Sequence, residues 1–171
     1  MNNTLLDDTI LNNYQNLVVI KSISKSFGVP GLRLGIMASA NSNLTDSVKE
    51  KLAIWNLNSY AEFFMQIFSK HEADYHKACN RFIEERKFLI DGLNKTGILK
   101  VFPSQANFLL CEIVSNHTAK ELAKELLCSY NILIKDCSGK KGFNGKNFIR
   151  LAIRNHEDNI KLIEALNSIN K

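Results

Sequence analysis

Between residues 22 and 35 the chain reads Ser22-Ile23-Ser24-Lys25-Ser26-Phe27-Gly28-Val29-Pro30-Gly31-Leu32-Arg33-Leu34-Gly35. Two hydroxyl residues and a lysine end an apolar run, Leu17-Val18-Val19-Ile20, and an arginine follows eight residues after the lysine. These residue types suit a phosphorylated carbonyl compound. The lysine amine can form an imine, and the hydroxyls and arginine can hold a phosphate. A strand that delivers them and a glycine-bearing turn that folds them together are what such a site requires.

Leu17–Ser22 and Leu32–Ser39 read as two strands flanking the lysine loop. Leu5–Leu11 reads as a short helix, and Asn43 or Thr45 as the cap of a helix running to about Trp55. Tyr60, Phe63, Phe64, Ile67 and Phe68 repeat at helical spacing. Cys79, Phe82, Ile83, Leu89, Ile90 and Leu93 continue that spacing in what reads as a second long helix. A short strand is expected between Gly97 and Pro103, and another at Ala106–Ile113. Thr118 and Glu121 form a capping-box pattern. Ile132–Lys135 and Asn147–Arg154 read as strands, and Asn155 as the cap of the last helix.

The order divides the chain near residue 75. Residues 76–171 follow helix-strand-strand-helix-strand-strand-helix, which predicts a small two-layer α/β domain. Residues 1–75 offer two clear strands, and two strands alone make a marginal sheet. They read as part of a larger sheet whose other strands are absent.

Composition excludes several classes. The 171 residues are 45% hydrophobic with a net charge of +5, which fits a folded globular chain. The lysines are scattered, without the clustered stripe of a nucleic-acid binder. No apolar run approaches the roughly 20 residues of a membrane span. Met1-Asn2-Asn3-Thr4 lacks the basic and apolar start of a signal peptide. The four cysteines, Cys79, Cys111, Cys128 and Cys137, have no metal or disulfide spacing, so no metal is expected and a cytoplasmic setting is. Ser22-x-x-Lys25, Ser129-x-Asn131 and Lys95-Thr96-Gly97 match serine penicillin-binding elements, but in the wrong order. His71, His76, His117 and His156 have no triad or metal spacing.

The lysine segment resembles that of fold-type-I pyridoxal-phosphate enzymes, the class I/II aminotransferase family. Trp55-Asn56-Leu57-Asn58 is similar to the family's Trp-x-x-Asn segment before a helix. Ala106-Asn107-Phe108-Leu109-Leu110 is similar to a central strand of its small domain. Asp136-Cys137-Ser138 and Phe148-Ile149-Arg150-Leu151-Ala152-Ile153-Arg154 are similar to its carboxylate-binding end. The branch most resembled holds histidinol-phosphate aminotransferases and threonine-phosphate decarboxylases.

The resemblance implies an α/β fold. Residues 1–75 would be the C-terminal remainder of the large cofactor domain, the end of its mostly parallel sheet. Residues 76–171 would be the small domain. It implies pyridoxal 5'-phosphate as cofactor, with Lys25 as the Schiff-base lysine and proton shuttle. Ser22, Ser24 and Arg33 would bind the cofactor phosphate. Arg150 would hold the substrate α-carboxylate, supported by Asn107. The expected reaction is amino transfer between an amino acid and a 2-oxo acid, or decarboxylation by a related enzyme of the same fold. The family's Gly-rich phosphate turn, pyridinium-pairing aspartate and ring-oxygen tyrosine have no counterpart here. The resemblance therefore implies a C-terminal portion that completes its site with a missing N-terminal half or a homodimer partner, or an inactive truncated half.

On strand alternation Phe148, Arg150 and Ala152 share one face, opposite Ile149, Leu151 and Ile153. Arg154 is expected on the Arg150 face, at the strand's end.

Overall fold

The computed structural model describes residues 4–143 and 146–170; Met1–Asn3, part of the N-terminal stretch read above, lie outside the described residues. The chain forms two compact units that divide between Tyr75 and His76, inside one long helix.

The first unit begins with α1 (Asp8–Asn13), whose first turn is capped by the Asp7 carboxylate accepting from the Thr9 and Ile10 N–H groups. Strand β1 (Val19–Ser22) leads into a four-residue helix, α2 (Ile23–Ser26), and a 3-10 turn at Pro30–Leu32. Strand β2 (Gly35–Ala38) then returns antiparallel to β1, with Val19 opposite Ala38 and Ser22 opposite Gly35. Helix α3 (Ser42–Lys49) starts one residue after Asn41, whose side chain accepts from the Leu44 N–H. It ends well before Trp55, in a stretch where Ile54 and Trp55 are about nine-tenths exposed.

Helix α4 (Ser59–Lys95) is 37 residues long and continuous, so the two helices expected from the interrupted apolar pattern are one. The interruption, Lys70 to Lys77, is polar but holds neither glycine nor proline. Polarity removes a buried face without breaking the backbone ladder. In the first unit, Phe64 and Phe68 of α4 pack with Phe27, their ring centroids 6.2 and 4.7 Å from it. Tyr60 and Phe63 face outward, against the expectation from spacing.

The second unit is a four-stranded antiparallel sheet in the order β3-β4-β6-β5, covered on one face by helices. Its strands are β3 (Leu99–Val101), β4 (Phe108–Ile113), β5 (Lys135–Asp136) and β6 (Phe148–Ala152). Leu109, Cys111, Ile149 and Leu151 point into a core shared with Leu89 and Leu93 of α4, Leu122 and Leu126 of α5 (Ala119–Tyr130), and Leu162 and Leu166 of α6 (His156–Ile169). Gly97, at φ +73, takes the left-handed conformation that turns the chain out of α4 toward β3.

Strand β5 is shorter than expected, because Ile132 and Ile134 pack against the core from irregular backbone. Strand β6 ends at Ala152, so Arg154 is not on it. Arg154 instead pairs with Asp158 in the first turn of α6, Nε to Oδ2 at 2.7 Å.

The cap of α3 is Asn41 and not Asn43 or Thr45, which fall inside the helix, but the other two caps read from the sequence are formed. Asn155 Oδ1 accepts the Asp158 N–H at 2.8 Å. Thr118 Oγ1 accepts the Glu121 N–H, and the Glu121 carboxylate accepts the Thr118 N–H and hydroxyl. Those hydrogen bonds from Thr118 hold the Glu121 carboxyl below its ordinary pKa. Thr118→Ala should destabilise the second unit by about 1 kcal/mol in denaturant unfolding. A lowered folded pKa contributes stability that is present above the unfolded pKa and lost as pH falls through the folded one. Glu121→Ala should accordingly cost less stability at pH 3 than at pH 7.

Candidate functional site

The lysine turn is built on one hydroxyl. Ser24 is buried, and its Oγ accepts the Leu34 N–H at 2.8 Å while donating to the Leu34 carbonyl at 3.3 Å. The Ser24 N–H also donates to that carbonyl, at 3.1 Å. Ser24 precedes Lys25 and Leu34 follows Arg33, so this clasp ties the lysine and arginine ends of the loop together. Both charged side chains are exposed at its surface. Among the described residues, neither has an ion-pair partner.

Two left-handed residues and several side-chain contacts shape the rest of the turn. Gly28 sits at φ +70 just after α2, a left-handed conformation glycine adopts at little cost. Arg33 has φ 52 and ψ 36, a left-handed conformation unusual for a residue with a Cβ. The preceding carbonyl, Leu32 O, accepts from Asn58 Nδ2 at 2.8 Å, while Asn58 Oδ1 accepts the Ala61 N–H in the first turn of α4. Asn58 thus fastens the strained step before Arg33 to a helix start. Phe27 lies against Phe68 and Tyr75, and the Tyr75 hydroxyl donates to the Ser26 carbonyl at 3.2 Å.

Ser22 ends β1 and begins α2 without spending its side chain on the helix cap. Its hydroxyl differs in this from that of Ser24, which is committed to Leu34. The Ser22 hydroxyl, unbonded among the described residues, an exposed amine and an exposed guanidinium on one braced turn form a donor set suited to pyridoxal phosphate: an amine for the aldehyde, and neutral and charged donors for the phosphate.

Arg150 and Asn107 belong to the second unit. Arg150 stands on the sheet face opposite the core, with Leu110 of β4 on one side and Lys135 of β5 on the other. Its Cζ lies 5.2 Å from the centroid of the Phe108 ring. Asn107 is exposed just before β4, and its carbonyl accepts the Ile153 N–H at 3.2 Å, joining the β4 and β6 ends. Phe148, on the same face as Arg150, is covered by Phe102 and Phe143. Asp136, next to Lys135, is held below the ordinary carboxylate range by hydrogen bonds from the Ser138 hydroxyl and N–H.

The clasp of Ser24, the bracing by Asn58 and the ring beside Arg150 were not read from sequence as such. Asn58 left a signal in its Trp-x-x-Asn context before a helix, whereas the Phe108–Arg150 contact depends on strand register.

A strand–lysine-turn–strand unit followed by an antiparallel-sheet unit superposes on about half the length of solved aminotransferase and decarboxylase chains. The histidinol-phosphate aminotransferase of Clostridium acetobutylicum superposes with a TM-score of 0.84 at 31% identity, over 94% of this chain and 47% of that one. The L-serine phosphate decarboxylase of Sulfurospirillum multivorans is 33% identical over 171 residues, 98% of this chain and 43% of its own length. The CMP-5'-(3-aminopropyl)phosphonate synthase of Streptomyces rubellomurinus is 33% identical over 159 residues, 93% of this chain and 25% of its own. The model of the family "Aminotransferase class I and II" matches residues 7–166, and the chain belongs to that family of pyridoxal-phosphate enzymes. It spans a quarter to a half of the length of these relatives.

Ser24→Ala would leave the Leu34 N–H without its partner, a loss that costs about 1–3 kcal/mol at a buried group. Amide exchange at Leu34 should accelerate strongly in this variant, while exchange at core amides of the second unit stays unchanged.

Proposed function

We propose that this chain is the lysine- and carboxylate-binding portion of a pyridoxal-phosphate-dependent aminotransferase that moves an amino group between an amino acid and a 2-oxo acid. The observation that carries the reading is the single braced turn presenting Ser22, Lys25 and Arg33 together, in a chain of this family. The remainder of the family fold, in the same or a partner polypeptide, would complete the site. Residues 1–75 would then be the end of the large cofactor domain and residues 76–171 the small domain.

Bound there, the cofactor supplies an electron sink for the bond broken at the amino-bearing carbon. Lys25 would hold the cofactor through its aldehyde, and its Nζ would carry a proton at the reacting carbon. Ser22 and Arg33 would hold the phosphate. Ser24 would act chiefly through the backbone of Leu34, keeping Arg33 at a fixed distance from Lys25. Arg150 would take the substrate carboxylate in a two-pronged contact that lysine cannot reproduce, and Asn107 would support that end of the sheet.

A second reading is decarboxylation of a phosphorylated amino acid. It is favoured by the 33% identity, over 98% of this chain, to the Sulfurospirillum multivorans L-serine phosphate decarboxylase. The two reactions share the turn and differ in products. A complete protein carrying this chain, given O-phospho-L-serine, releases carbon dioxide if it is a decarboxylase. An aminotransferase given L-glutamate forms 2-oxoglutarate.

Borohydride reduction of the cofactor-loaded protein should fix the label on the peptide holding Lys25, and Lys25→Ala should abolish both label and turnover. A label at Lys21 would overturn the assignment. Arg150→Ala should weaken binding of a carboxylate substrate by roughly 30-fold or more while cofactor binding persists. Arg154→Ala should do much less, because Arg154 is already paired with Asp158.

A further inference from the structure

Arg150 has a demanding position. It is exposed, and a long side chain at an exposed site samples many rotamers unless something holds it. Its cross-strand neighbours do not hold it. Leu110 offers no polar group, and Lys135, directly opposite on β5, carries a like charge. Among the described residues no carboxylate pairs with it. Its one described contact is the Phe108 ring, 5.2 Å from the guanidinium carbon.

Register explains how that contact arises. Arg150 is opposite Leu110, Phe108 is opposite Ala152 and Glu112 is opposite Phe148, so Phe108 and Glu112 are the two diagonal neighbours of Arg150 on this sheet face, and Glu112 is engaged by Lys146 at 3.2 Å. The small side chain of Ala152 leaves the ring uncovered on that side. Phe108 is itself 37% exposed, which leaves ring surface for the cation.

We propose that Phe108 is a positioning residue that holds the Arg150 guanidinium ready for the substrate carboxylate. The proposal rests on Arg150 being the carboxylate-binding arginine. A ring is well suited to this task. It attracts the cation through its quadrupole and consumes none of the guanidinium N–H donors. An aspartate or glutamate in the same place would hold the arginine by occupying the donors a carboxylate needs. Lys135 adds to the effect, because its charge disfavours swinging Arg150 toward β5 and leaves the Phe108 side as the resting place.

The test has a spectroscopic and a kinetic arm. In NMR spectra of this chain, the Arg150 side-chain protons should be shifted upfield by the ring. Phe108→Leu should return them to ordinary positions, and Phe108→Tyr should keep them shifted. Ordinary positions in the unsubstituted chain would overturn the contact. In a complete enzyme assayed with whichever of L-glutamate and O-phospho-L-serine it turns over, Phe108→Leu should raise KM about 2- to 5-fold, the range of an exposed cation–ring contact, with a smaller change in kcat. Phe108→Tyr should restore KM, and Phe108→Leu should add nothing to Arg150→Ala. If Arg150→Ala raises KM and Phe108→Leu does not, the positioning role is wrong. If Phe108→Leu acts equally with and without Arg150, Phe108 works by another route and the proposal is again overturned. If Arg150→Ala leaves KM unchanged, the carboxylate assignment itself fails, an outcome separate from the NMR result.

Discussion

A serine hydroxyl that both gives and takes a hydrogen bond at one residue ten positions away sets the geometry of the lysine turn. Ser24 meets both backbone groups of Leu34, and the sequence neighbours of these two residues are Lys25 and Arg33. The eight-residue interval between a basic amine and a guanidinium is thereby closed into a loop of fixed width. Every other contact in the turn refines that closure. Asn58 secures the carbonyl before the left-handed Arg33, and Tyr75 secures the carbonyl after Lys25. These neutral hydrogen bonds leave both cations exposed and, among the described residues, without an ion-pair partner.

The second unit solves a related problem with one strand. Strand β6 must bury Ile149 and Leu151 in the core and display Arg150 on the opposite face, and alternation does both. Its central position, between β4 and β5, gives it ladder partners on both sides, so the backbone under Arg150 is fixed from two directions. The same outer face carries Phe148, under Phe143 and Phe102, and opposite it Glu112, whose carboxylate pairs with Lys146 at 3.2 Å.

Much of this was legible because it is local. The hydroxyl, glycine and proline pattern marks the turn after β1, and the caps at Thr118 and Asn155 declare themselves within four residues. What was illegible depends on distance or on the absence of a signal. One helix read as two because Lys70–Lys77 lacks an apolar stripe, although apolar periodicity reports burial and only a breaker reports an end. The left-handed backbone at Arg33 has no side-chain signature, since it is imposed by the contacts of its neighbours. The partner of Arg150 lies on another strand, 42 positions earlier, and only the β4–β6 register reveals it. Arg154 was misplaced on the strand because its backbone N–H and carbonyl are taken by the Asn159 side chain of the next helix rather than by a strand partner.

All four cysteines lie beyond Tyr75, and they differ sharply in surroundings. Cys111 is fully buried in the sheet, and burial pushes its thiol up to about 12, so it stays protonated and sealed while the second unit is folded. Cys128 is exposed on α5. The chain therefore carries a built-in chemical clock for one of its two units. An alkylating reagent reaches Cys128 at once, and the delay before Cys111 is modified times the opening of the sheet and helices around it. With no thiol before residue 76, that clock is blind to the lysine turn and separates the breathing of one unit from that of the other.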